Sequence, residues 1–210
     1  MKKYIILILV LFLFLIFSAY SYASTVNENL SDNVFRLHVI ANSDSKEDQD
    51  LKYKVRDKLI EYMKSITSNI ENKEEVINIA YNNIENFQKI AEQVIKENGF
   101  NYPVKIEIGN FSFPTKTYGD ISLPSGFYDA LKVEIGNASG QNWWCVMFPP
   151  LCFVDVTSGV VPESSKENLE TNLGQEEYDI ISNNNESDVI EFKFKIVEFF
   201  EDLGIKLANN

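Results

Sequence analysis

The spacing of apolar residues switches near Tyr102, and no other feature constrains the fold as much: a helical period precedes it and a strand period follows it. Before the switch, Leu51, Val55, Leu59, Tyr62, Met63 and Ile66 recur every three or four residues, which gathers them on one stripe of a helix. Ser45 followed by Asp48 is a relaxed capping box, and Glu47, Asp48 and Asp50 suit the positive end of a helix dipole, so this helix should start near Lys46. After a polar break at 67–72, a second helix is expected to carry Val76, Ile77, Ala80, Ile84, Phe87, Ala91, Val94 and Ile95. It should stop at Asn98-Gly99, where glycine supplies the left-handed residue.

Beyond Tyr102, Val104, Ile106 and Ile108 alternate with Lys105 and Glu107, and Phe111-Ser112-Phe113 continues the strand. A further extended stretch covers 116–121. Strands at 128–135 and 142–148 follow, separated by a turn at 136–140. Ahead of the helices, 34–41 (VFRLHVIA) sets Phe35, Leu37 and Val39 on one side and Arg36 and His38 on the other, a strand with one buried face. The expected architecture is α+β: an N-terminal strand, two amphipathic helices, then an antiparallel sheet of three to four strands, all within residues 24–156.

Two terminal regions differ. Lys2 and Lys3 precede an apolar run, and Ser21-Tyr22-Ala23 is the small-x-small pattern of a signal-peptidase site, so residues 1–23 read as a signal peptide cut between Ala23 and Ser24. The alternative is an uncleaved anchor, although the 13 residues Ile5 to Phe17 reach only about 20 Å of a ~30 Å hydrocarbon core. Cleavage removes two lysines and no acid, moving the formal charge from −12 to −14. A chain this acidic is a poor match for phosphates, so nucleic acid is not an expected partner. Membrane contact is expected only through an uncleaved N-terminal segment. Residues 157–188 hold eight acids against Lys166 alone and read as an acidic flexible linker, with an amphipathic helix at 189–207 closing the chain.

His38 is the single histidine, which rules out a zinc center built on two or three histidines. With Arg36 beside it and Asn42 and Asp44 at the strand's end, it marks a strand-to-helix corner that could be plain structure, a partner site or, least supported, an acid–base site. A secreted cell-wall or peptide hydrolase using His38 and a carboxylate is therefore the alternative reading. The glycines are too scattered to cradle a phosphate, and no nucleophile elbow is present, so no cofactor, metal or enzymatic activity is expected. The densest segment is 142–153, with Trp143, Trp144, Cys145, Pro149, Pro150 and Cys152. A turn at 147–150 would bring Cys145 opposite Cys152, so the pair reads as one disulfide, with free thiols as the alternative. The tryptophans and Pro149-Pro150 are either a stapled structural hairpin or an exposed tip offered to a partner.

In chain order, RLHVIANSD at 36–44, DQDLKYKVRD at 48–57, FPTKTYGDISLP at 113–124 and NWWCVMFPPLCFVD at 142–155 resemble the signature stretches of the stage II sporulation protein R family. The resemblance runs from about 34 to 155, and the Trp-Trp-Cys to Pro-Pro-Leu-Cys run is its most specific part. It implies a secreted signaling protein of endospore-forming bacteria, made in the forespore and released into the space between forespore and mother cell. There such proteins trigger a membrane-embedded aspartic peptidase that cleaves the sigma-E precursor. The implied partner is the extracytoplasmic face of that peptidase, with Arg36, His38, Asn42, Asp44, Trp143, Trp144, Pro149 and Pro150 as candidate contacts.

Overall fold

In the computed structural model, which describes residues 2–68, 70, 72–152, 161 and 163–182, the elements follow in this order: α1 (Lys2–Asn33), β1 (Phe35–Ile40), α2 (Lys46–Ile66), α3 (Lys73–Asn82), α4 (Ile84–Glu97), β2 (Val104–Phe113), β3 (Lys116–Tyr118), β4 (Ile121–Leu123), β5 (Gly126–Ile135), β6 (Asn142–Phe148), α5 (Glu163–Leu173) and α6 (Gln175–Ile181). The class is α+β, as the period switch requires. The capping box forms as read: Ser45 Oγ accepts the Asp48 N–H at 3.2 Å and α2 starts at Lys46. The expected second helix is two. Asn83 ends α3 and begins α4, and its side chain donates to the Ile79 carbonyl at 2.9 Å while accepting from the Tyr62 hydroxyl at 2.8 Å. An asparagine that hydrogen-bonds locally competes with the helical ladder and permits the bend.

The sheet departs further from expectation. Its order is β2-β5-β1-β6, so β1 is central, parallel to β5 and antiparallel to β6, and the sheet is mixed rather than antiparallel. A central strand is covered on both faces, and accordingly Phe35 through Val39 are all buried, including Arg36 and His38. On one face Phe35, Leu37, Val39, Leu131 and Val133 pack against the apolar stripes of α2, α3 and α4. Each such side chain fully withdrawn from water contributes about 1.5–3 kcal/mol. On the other face Val34, Phe113, Tyr128, Ala130 and Val146 meet the β3–β4 hairpin, the end of α1 and the α5–α6 pair.

The region read as a flexible linker is corrected across 163–182: it holds α5 and α6, which bury Leu169, Leu173, Tyr178 and Ile181 against the second core. The leucines at i and i+4 form an apolar stripe that outweighs the acidic composition. The expected helix at 189–207 lies outside the described residues. Helix α1 is continuous through the Ala23–Ser24 position. Its large apolar side chains from Tyr4 to Leu15, with Phe17, are exposed, whereas Leu30 is fully buried in the second core. Lys73 fastens that buried end, donating to the Ser31 carbonyl at 2.7 Å and pairing with Asp129 at 2.6 Å.

Candidate functional site

Strand alternation places Arg36 and His38 of β1 on the second face, and the antiparallel register sets Val146 and Trp144 of β6 beside them. His38 stacks on Trp144 with ring centroids 3.6 Å apart, and both lie edge-on to Phe113, at 5.9 and 4.7 Å. The β3–β4 hairpin folds over this group and delivers Tyr118. Its hydroxyl accepts from Arg36 Nη2 at 2.9 Å and donates to the Trp144 carbonyl at 3.3 Å. The Arg36 guanidinium is fully buried between two rings, 4.2 Å from the Phe113 centroid and 4.6 Å from that of Tyr128. No carboxylate pairs with it among the described residues, and Arg36 Nε and Nη1 have no hydrogen-bond partner. Burial pushes the Tyr118 phenol up, with the Arg36 charge and hydrogen bond pulling it partly back.

His38 Nε2 lies 2.7 Å from Asn142 Oδ1, which fixes Nε2 as the protonated nitrogen because an amide oxygen only accepts. Burial lowers the His38 pKa to about 4, with the Asn142 bond opposing and Lys132 reinforcing the shift. The imidazole is therefore neutral at ordinary pH. Among the described residues its direct contacts are an amide and two aromatic rings, and the nearby Glu134 carboxylate acts on it through its charge rather than through a hydrogen bond. Since the folded-state pKa lies below the unfolded value, the unfolded chain binds a proton first. Stability contributed by His38 is thus complete above pH ~6.5 and is lost as the pH falls toward 4. Relative to wild type, a His38→Gln variant should show a shallower loss of stability between pH 6.5 and 4, by on the order of 2 kcal/mol. Denaturant titrations at a series of pH values would read it, and parallel profiles would refute it.

Asn42 and Asp44 are engaged in holding the corner together. Asn42 Oδ1 accepts the Asn137 N–H at 2.9 Å, its Nδ2 donates to Asp48 at 2.8 Å, and Asp44 Oδ1 accepts the Gln141 N–H at 2.7 Å. Burial pushes the Asp48 carboxyl up, but hydrogen bonds from Ser43 and Asn42 outweigh it and hold the pKa below its usual range. The 136–141 turn fits closely against this corner, and a Cβ on Gly140 would collide with the Ser43 carbonyl. Because the obstacle is backbone, Gly140→Ala is expected to destabilize by roughly 2 kcal/mol; an unchanged denaturation midpoint would contradict this packing.

The two tryptophans part company. Alternation along β6 sends Trp144 to the Arg36 face and Trp143 to the α2 face, where Arg56 lies 4.1 Å above its ring and Tyr53 meets it edge-on at 5.5 Å. The notion of one exposed aromatic and Pro-Pro tip is corrected: both tryptophans are half-buried, Pro149 is buried, and Pro150 is half-buried with its carbonyl bonded to Ser165 of α5 at 2.8 Å. Cys145 and Cys152 form the disulfide, with Cα atoms 5.2 Å apart. Tyr118, Phe113 and Tyr128 were not among the candidate site residues, although Phe113 and Tyr118 lie in one of the family-like stretches. Lys52 was missed too: it is almost fully buried, burial lowers its pKa, and it bridges α2 to the 136–141 turn by donating to the Gln141 carbonyl at 3.0 Å.

The family model described as Stage II sporulation protein R (spore_II_R) matches residues 31–158. The chain is 34% identical over 185 residues to Stage II sporulation protein R of Bacillus subtilis (strain 168), covering 83% of each chain. No solved structure matches it.

Proposed function

The chain belongs to the stage II sporulation protein R family, and from that premise we propose that it is a secreted, non-enzymatic sporulation signal that activates a membrane-embedded aspartic peptidase and so brings about cleavage of the sigma-E precursor. Export on residues 1–23 would carry it from the forespore into the space between the two cell membranes. What supports the reading is a convergence: stretches at 36–44, 113–124 and 142–155, far apart in sequence, meet around Arg36, Tyr118 and Trp144. The stretch at 48–57 packs instead on the opposite face of the sheet, where Arg56 covers Trp143 and Asp48 and Lys52 hold the strand-to-helix corner and the 136–141 turn. Trp144, Asn142 and Lys132 form the outward side of this cluster, with Arg36 behind them. A partly exposed tryptophan held by a rigid frame is the kind of side chain that binding hot spots favor.

Activation then amounts to preferential binding of the peptidase's active assembly, because a ligand shifts an equilibrium only by its differential affinity for two states. The test is loss of the gene in sporulating cells followed by a blot for the sigma-E precursor. Accumulation of uncleaved precursor is expected; normal cleavage would defeat the proposal. Pull-down of the protein with the peptidase's membrane domain under activating conditions would test direct contact.

A further inference from the structure

The β3–β4 hairpin forms a sheet of its own, and it touches the Arg36–Trp144 cluster through Tyr118 and the α5–α6 pair through its tip. At that tip Lys166 of α5 pairs with Asp120 at 2.6 Å, and Ile121 bridges to Ser182 just past α6. We propose that Lys166 is a positioning residue for Trp144, acting through the hairpin. The assignment rests on the signaling reading above and adds to it the part of the fold that sets the geometry of its contact residue.

The hairpin is short and stiff. Gly119, with φ +61, opens the two-residue turn between Tyr118 and Ile121, and three cross-strand pairs fix the register behind it. Thr117 and Ser122 add a hydroxyl bond at 2.8 Å across the strands. The Asp120 carboxylate and the Tyr118 phenol therefore move as one unit. Strand β4 is seated in the second core by Ile121 and Leu123, whereas Tyr118 and Asp120 are half-buried and Gly119 is exposed. Asp120 Oδ1 is buried without a hydrogen-bond partner among the described residues, so the side-chain anchorage of the tip falls to the Lys166 pair.

These contacts form a ring that starts and ends on β6. Ser165, next to Lys166, donates to the Pro150 carbonyl just past β6 at 2.8 Å, and Tyr118 donates to the Trp144 carbonyl within β6 at 3.3 Å. The Lys166–Asp120 pair joins the two halves. Breaking it frees the phenol to leave the Trp144 carbonyl, a bond already at the long end of hydrogen-bond geometry. Trp144 then loses part of the frame that holds its ring against His38 and Phe113. Having to immobilize one such side chain on binding costs about two- to tenfold in affinity. The pair adds little to folding itself, because side-chain exposures of 18% and 36% leave it open to solvent screening. Signaling and stability should therefore respond unequally to its loss.

Acrylamide quenching reads the freedom of Trp144 in the purified full chain, held in detergent and carrying Trp143→Phe so that Trp144 is the sole tryptophan. Lys166→Met should raise the quenching constant at least twofold. Lys166→Arg should restore it, and Lys89→Met, which breaks an exposed pair on α4, should leave it unchanged. In a Tyr118→Phe background Lys166→Met should add no further rise, because the phenol is the link. In sporulating cells, with Trp143 intact, Lys166→Met should slow precursor cleavage about two- to tenfold and Lys166→Arg should not. Unchanged quenching, an equal rise in the Tyr118→Phe background, or a large fall in the denaturation midpoint with Lys166→Met would overturn the positioning role. So would raised quenching with normal cleavage in cells where loss of the gene blocks cleavage. Cleavage that persists when the gene is lost defeats the signaling reading instead, and the quenching result stands apart from it.

Discussion

Replacing Arg36 with methionine is expected to leave the protein as stable as wild type or more stable by about 1–2 kcal/mol, while precursor cleavage in sporulating cells is lost. The guanidinium is fully buried, makes one hydrogen bond, to Tyr118, and has no paired carboxylate among the described residues. Taking such an ion out of water costs several kcal/mol. The two flanking rings return about 0.5–2 kcal/mol each at most. Methionine has similar length, fills the slot between Phe113 and Tyr128 with a polarizable sulfur, and removes the two unpartnered donors. Tyr118 is not orphaned by the change, because its hydroxyl still donates to the Trp144 carbonyl. Arg36→Ala instead leaves a void between the rings and should destabilize by about 3 kcal/mol. Urea denaturation with the precursor blot distinguishes the roles. A methionine variant that loses more than about 2 kcal/mol would make Arg36 a structural residue, and one that supports normal cleavage would show that the buried guanidinium is not needed to hold the signaling cluster in its active form.

The second large effect concerns the disulfide. Cys145 and Cys152 are separated by seven positions, and the chain-entropy model assigns a closed loop of that size about 2.5 kcal/mol. The double variant Cys145→Ala, Cys152→Ala should lose that amount, lowering the melting temperature by roughly 5–10 °C for a chain of this length. Wild type melted in strong reductant should show the same drop, and the double variant should be indifferent to reductant. Loss of under 1 kcal/mol would mean that the turn is held by its other contacts, the Leu151 and Cys152 N–H groups on the Val146 carbonyl and Ser165 on Pro150.

What the sequence determined by itself was everything whose cause is local. The Leu51 to Ile66 stripe, the Ser45 cap, the Asn98-Gly99 stop and the alternation in 104–113 depend on residues a few positions apart, and all are present in the fold. The cysteine pair was legible for the same reason, its two members being joined by one short turn. The break at Asn83 was also local, but it lay hidden in an uninterrupted apolar period.

Only the tertiary structure decided the rest. Arg36 sits on what alternation marks as the polar side of a strand, and nothing near it in sequence indicates that Phe113, Tyr118 and Tyr128 will close over it. That closure follows from β1 lying between β5 and β6, a pairing across about a hundred residues that no local pattern encodes. Residues 163–182 show the converse: composition reports the average over a segment, whereas Leu169, Leu173, Tyr178 and Ile181 fold because a second core is there to receive them. Periodicity gives a residue a side. Burial depends on what the distant chain brings to that side, so the site around Arg36 exists only once the sheet has been ordered.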